Sequence, residues 1–134
     1  MKDSSPQLVI DEDCPPPCLI RVDKEGRMWH FDAEMTHEGI NQLLRQHVEL
    51  DQKGRYIIEY RGQRCVVEVE DTFVVVRRVD RPAGEDGPII ASLNDGSMEE
   101  MDPATLALGG DNVVYARVKN GRFPARFLRH SYYQ

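Results

Sequence analysis

Tyr56-Ile57-Ile58-Glu59-Tyr60-Arg61-Gly62-Gln63-Arg64-Cys65-Val66-Val67-Glu68-Val69 reads as two strands around a tight turn. The flanking runs are rich in β-branched and aromatic residues, which fit a pleated surface. Arg61-Gly62-Gln63 is the tight turn, in a chain whose hairpin turns are marked by glycine. After Glu70-Asp71-Thr72 the chain resumes with Phe73-Val74-Val75-Val76-Arg77-Arg78-Val79, a further strand buried in part on both faces.

Working outward, the same grammar recurs. Leu19-Ile20-Arg21-Val22, turning at Asp23-Lys24-Glu25-Gly26, returns as Arg27-Met28-Trp29-His30-Phe31. Asp51-Gln52-Lys53-Gly54 turns into Tyr56. Ile89–Leu93 turns at Asn94-Asp95-Gly96, and Val113–Val118 turns at Lys119-Asn120-Gly121; Asp-Gly and Asn-Gly are strong hairpin signals. One helix is expected over 36–49, N-capped by Thr36, with Ile40, Leu43, Leu44 and Val48 at helical spacing facing the core. His47 on that face reads as a hydrogen-bonded core-edge residue. Asp102-Pro103-Ala104-Thr105 resembles a short helical start. The fold class is α+β, mostly antiparallel hairpins with one amphipathic helix.

The chain has 134 residues, which fits one domain. Residues 1–13 read as an acidic tail and 14–134 as a single compact domain. Arg81-Pro82-Ala83-Gly84-Glu85-Asp86-Gly87-Pro88 reads as a linker between repeat-like halves, 18–79 and 89–134. Aligning Gly62 with Gly121 sets Val69-Glu70-Asp71-Thr72-Phe73 against Leu128-Arg129-His130-Ser131-Tyr132. Acidic residues stand against basic ones at the middle positions. Two such units are expected to pack so that each covers the other's open face, with a charge-paired seam or a ligand cleft between them.

The net charge is −6, which disfavours a general nucleic-acid binder. The basic segment 113–134, holding Arg117, Lys119, Arg122, Arg126 and Arg129 and no acid, is the one place an anion or nucleic acid would find. No apolar run reaches the ~18 residues of a membrane span. No signal-type hydrophobic segment stands near the N-terminus, and a cytoplasmic protein is expected. Three cysteines, Cys14, Cys18 and Cys65, argue against a disulfide framework. A Cys14–Cys18 bridge is opposed by the stiff Pro15-Pro16-Pro17 spacer, and Cys65 is expected to be a small buried hydrophobe. His30, His37, His47 and His130 lack metal-ligand spacing. No metal, cofactor or catalytic motif is expected.

Ile20-Arg21-Val22, Gly26, Trp29-His30, the helix, Gly54-Arg55-Tyr56 and above all Val69-Glu70-Asp71-Thr72-Phe73-Val74 resemble the bacterial family known as domain of unknown function 1285 (DUF1285). So does the closing Ala116-Arg117-Val118 with Gly121, Ala125-Arg126, Arg129 and Tyr132-Tyr133. The chain is shorter than typical members, with a compressed region around 80–112. The resemblance implies a mixed α+β fold with repeated motifs and a signalling or ligand-sensing role. It carries over no activity.

Two functions of different classes follow. One is a non-catalytic binding or regulatory module taking a small molecule or protein at the seam, with Trp29, Glu70, Asp71, Arg129 and His130 as candidate ligand-binding residues. Trp29 would be an anchor if exposed and core if buried. The other is a small enzyme using Glu70, Asp71, Arg129 and His130 as an acid–base cleft. Pairing at the edge of a valine-rich strand would allow a homo-oligomer.

Overall fold

The hairpin over residues 56–69 forms part of a larger sheet. In the computed structural model, which describes residues 15–128, twelve short strands form two six-stranded sheets. The first sheet holds β1 (Pro17–Val22), β2 (Met28–His30), β3 (Ala33–Glu34), β4 (Val48–Leu50), β5 (Tyr56–Tyr60) and β6 (Gln63–Val69). The second holds β7 (Val74–Asp80), β8 (Ile90–Leu93), β9 (Met98–Glu100), β10 (Ala107–Leu108), β11 (Val114–Val118) and β12 (Phe123–Phe127). Helix α1 spans Glu38–Arg45 between β3 and β4.

The sheets repeat one topology. The first runs β3-β2-β1-β6-β5-β4 and the second β9-β8-β7-β12-β11-β10. Both have a parallel central pair, β1 with β6 and β7 with β12, flanked by antiparallel neighbours. The 3₁₀ turn Pro103–Thr105, capped by Asp102, occupies the place of α1 in the second unit. The duplicated, hairpin-built α+β architecture is therefore present.

Its boundary differs from the expectation. Val74–Asp80 opens the second sheet, and 81–88 is only the loop from β7 to β8. The chain crosses between sheets at 70–73. A hydrophobic strand separated from β6 by only four residues looks like its hairpin partner. Val75 and Val76, both fully buried, instead sit beside β12 and β8. The repeat alignment also slips by one residue. Glu70 N donates to Val22 O at 2.9 Å and Leu128 N to Val76 O at 3.1 Å, so Glu70, not Val69, corresponds to Leu128. A one-residue slip exchanges the faces of a strand.

The core lies between the sheets. Tyr56 of β5 stacks on Phe73 at 5.8 Å and on Phe123 of β12 at 6.4 Å. Val22, Met28, Ile58 and Val67 join Val76, Leu93, Val118 and Phe127 in the same cluster. Each such side chain contributes roughly 1.5–3 kcal/mol on burial.

Helix α1 is shorter than expected, and its cap is His37, whose Nδ1 accepts from Ile40 N, rather than Thr36. Val48 has left the helix for β4. Ile40 and Leu43 are exposed, and the inward face carries buried Asn41 with Leu44 and Arg45. His47 sits at the core edge, its Nδ1 2.8 Å from Leu43 O and its ring edge-on to Tyr60.

The cysteine reading is corrected. Cys18 and Cys65 form a disulfide, with Cα atoms 4.9 Å apart and a sequence separation of 47. The parallel pairing of β1 with β6 creates this proximity, which a count of cysteines does not reveal. Cys65 is thus a bridged residue and not a free buried thiol. Beside it β1 carries extra residues, the register moving from Pro17↔Val66 to Arg21↔Glu68.

Candidate functional site

The two units meet through a turn. Asp23 Oδ1 accepts from Glu25 N at 3.0 Å and Arg27 N at 2.9 Å, and Oδ2 from Arg27 Nε and Trp29 Nε1, both at 3.0 Å. Burial pushes the Asp23 carboxyl up, but the bonds from Trp29, Arg27 and Glu25 outweigh it and hold the group below its ordinary value. Asp51 and Arg55 repeat the same Asp-x-x-Gly-Arg turn. Only the first turn touches the second sheet: a Cβ on Gly26 would stand 2.9 Å from Val75 Cγ2, whereas one on Gly54 would meet nothing within 4 Å.

From the other side Asn94, at the end of β8, is buried. Its Oδ1 accepts from Val75 N at 3.1 Å and its Nδ2 donates to Phe73 O at 3.2 Å. Gln42 of α1 reaches Asn94 O at 3.4 Å.

Between these anchors lies Arg45. Its side chain is only 10% exposed. Nη2 donates to Gly26 O at 3.2 Å, and Nη1 stands 3.8 Å from Glu38 Oε2. Burial, and to a lesser degree the neighbouring Arg77 guanidinium, push the Arg45 pKa below its ordinary value despite Glu38 and Asp95. The Arg77 side chain makes no hydrogen bond or ion pair among the described residues.

Two cavities flank Arg45. The larger, about 430 Å³, is lined by Glu25, Arg27, Glu34, Glu38, Asn41 and Arg45 of the first unit and Arg77 and Asn94 of the second, among others. The smaller, about 270 Å³, has an apolar floor of Val48, Phe73, Val74 and Phe123 beneath Arg45, Lys119 and Arg122. In its wall Lys119 Nζ holds Asp95 Oδ2 at 2.5 Å. Burial pushes the Asp95 carboxyl up, and Lys119 and Ser97 more than reverse that. Among the described residues no group of three or more His, Cys, Asp and Glu could hold a metal ion.

The residues expected from sequence lie elsewhere. Trp29 is half-buried, its indole tied to Asp23 and its face covered by Arg21 at 5.3 Å, and it lines neither cavity. Glu70 is exposed. Asp71 Oδ2 accepts from Tyr115 Oη and Arg126 Nη1, each at 2.7 Å. That hydrogen bond, then burial, pushes the Tyr115 hydroxyl up. Arg129 and His130 lie outside the described residues. Among Trp29, Glu70 and Asp71, none is brought to either seam cavity. Arg45, Asn41, Arg77 and Asn94 were not singled out beforehand. The signals were the twice-used Asp-x-x-Gly-Arg turn and a polar Asn41 inside the helical apolar pattern.

The sequence matches no protein-family profile and no curated protein. Solved structures do match. A DUF1285 family protein from Shewanella baltica superposes with a TM-score of 0.70 at 18% identity, covering 86% of this chain and 87% of that one. Another from Silicibacter pomeroyi gives 0.75 at 15% identity, covering 99% of this chain and 75% of that one. The fold is DUF1285-like. Within that DUF1285-like frame, both seam cavities are lined by side chains from the two repeats. No helix among the described residues is long and apolar enough to cross a membrane.

Proposed function

We propose that this DUF1285-like protein is a non-catalytic binding module that holds a small anionic molecule at the seam between its two units. One observation carries the reading. Arg45 is a largely buried cation whose nearest carboxylate, that of the exposed Glu38, is 3.8 Å away, while a second guanidinium, Arg77, stands close enough to repel it. A desolvated charge without a tight counterion is costly. A ligand carboxylate or phosphate would offset that cost and bridge the two units.

The basic C-terminal segment is a weaker anion site, because Arg126 is neutralised by Asp71 and Lys119 by Asp95. Asp71 is held by Tyr115 and Arg126 and lines neither seam cavity, which disfavours the enzyme reading. The expected cytoplasmic location is opposed by the Cys18–Cys65 bridge, since cytosolic thiols are kept reduced.

The test is a thermal-shift and calorimetric titration with succinate, acetate and inorganic phosphate at fixed ionic strength, on the full chain and on Arg45→Met. The wild type should be stabilised by at least one anion, by about 2.7 kcal/mol at a hundred times its Kd. Arg45→Met, which keeps most of the buried stem, should fold and lose that response. An equal response from the variant sinks the reading.

A further inference from the structure

The larger seam cavity has two chemical ends. We propose that its ligand is a small zwitterion of the α-amino-acid class, carrying a protonated amine beside its carboxylate. This rests on the anion-binding reading above and adds a second recognition element to it.

The first observation is Asn41. It is 5% exposed and lines the cavity, and its Nδ2 donates to Met35 O at 2.7 Å. Its Oδ1 is buried and accepts no hydrogen bond from the described residues. Buried acceptors are nearly always paired in folded proteins, and what this one lacks is a donor. An anion alone brings none, whereas an ammonium group brings three N–H donors.

The second observation is the order of charges. Glu38, Asn41 and Arg45 fall at i, i+3 and i+7 and so share one face of α1. Along that face the helix presents a carboxylate, an amide oxygen and a guanidinium. The carboxylate of Glu34 on β3 lines the same first-unit wall, and the unpaired Arg77 faces it from the second unit. The acids thus belong to the first unit and the uncompensated cation to the second.

The third observation is spacing. Glu38 Oε2 and Arg45 Nη1 are 3.8 Å apart, looser than the 2.7–2.9 Å of a charge-assisted hydrogen bond. An α-amino acid carries its ammonium and carboxylate on one carbon, a comparable separation. It would set its ammonium on Glu38 and Asn41 and its carboxylate on Arg45 and Arg77, replacing one loose ion pair with two closer ones. A cavity of about 430 Å³ suits a ligand of this size.

The experiment titrates the full chain by calorimetry with the common L-amino acids, then with the deaminated acid and the decarboxylated amine of the best binder. The expected result is binding of at least one amino acid, weakened about 10–100-fold when the amine is removed, the loss typical of a hydrogen bond to a charged group. Glu38→Gln, at an exposed side chain that should not disturb folding, should shrink that discrimination. Equal affinity for the amino acid and its deaminated acid, both abolished by Arg45→Met, overturns the zwitterion and leaves the anion site standing. Silence from all carboxylates overturns both.

Discussion

Replacing Cys18 and Cys65 with alanine removes the covalent tie between the two central strands of the first sheet. The bridge closes a loop of 47 residues. Chain entropy assigns a loop of that length about 4 kcal/mol of stabilisation, through restriction of the unfolded state. A chain of 134 residues loses about 3–4 °C of Tm per kcal/mol. The double variant should therefore melt on the order of 12–16 °C below the wild type. Circular dichroism melts with and without a thiol reductant give the comparison. Reductant should lower the wild-type Tm by a similar amount and leave the variant unmoved. The urea m-value should rise in the variant, because an uncrosslinked chain exposes more surface on unfolding. Thiol titration in denaturant without reductant should find one reactive group of three, Cys14. Three reactive thiols, or a Tm shift under about 3 °C on reduction, would refute the reasoning.

Gly26→Ala and Gly54→Ala place the same side chain on nearly the same backbone, φ +85° and +80°. Gly54→Ala should cost only the left-handed strain, about 1–2 kcal/mol, while Gly26→Ala adds a clash with Val75 and about 1–3 kcal/mol more; equal losses in urea melts would remove the turn from the seam. Asp23 has a folded pKa below its unfolded value. Its contribution is present above the unfolded pKa near 3.9 and is lost as pH falls through the folded value. Asp23→Asn should cost about 1.5–3 kcal/mol at neutral pH, and the gap between wild type and variant should narrow on acidification; a gap that does not change between pH 7 and pH 3 contradicts this.

The longer strands β1, β5, β6, β8 and β11 were legible because they are apolar and bounded by glycine turns, whereas β3 and β10 are two residues each and β4 follows directly on the helical pattern. Gly62 and Gly121 mark the equivalent hairpins of the two units, and both adopt positive φ. The unit boundary was not legible. Periodicity shows that Phe73–Val79 is a strand but not which sheet takes it, and its place before the breaker-rich 81–88 grouped it with the first unit. The Cys18–Cys65 pairing depends on that same long-range parallel contact. The site was harder still. Arg45 and Asn41 look like polar residues on an exposed helix, because the apolar Ile40 and Leu43 draw the eye to the face that solvent takes. The acidic pair at 70–71 drew attention for its density, yet Asp71 spends its charge on Tyr115 and Arg126.

In each unit the first strand and the last lie side by side at the middle of the sheet, not at its rim. A deletion from either end of a unit would therefore split the sheet into two hairpin ribbons and bare two new hydrogen-bonding edges. Such edges are templates for aggregation. The same arrangement delays closure during synthesis, because β1 must wait for β6 and β7 for β12. Because the two strands run parallel, a unit's start and finish stand at opposite ends of that central pair, so a linker joining them after a cut in an outer turn would have to run back along the strands.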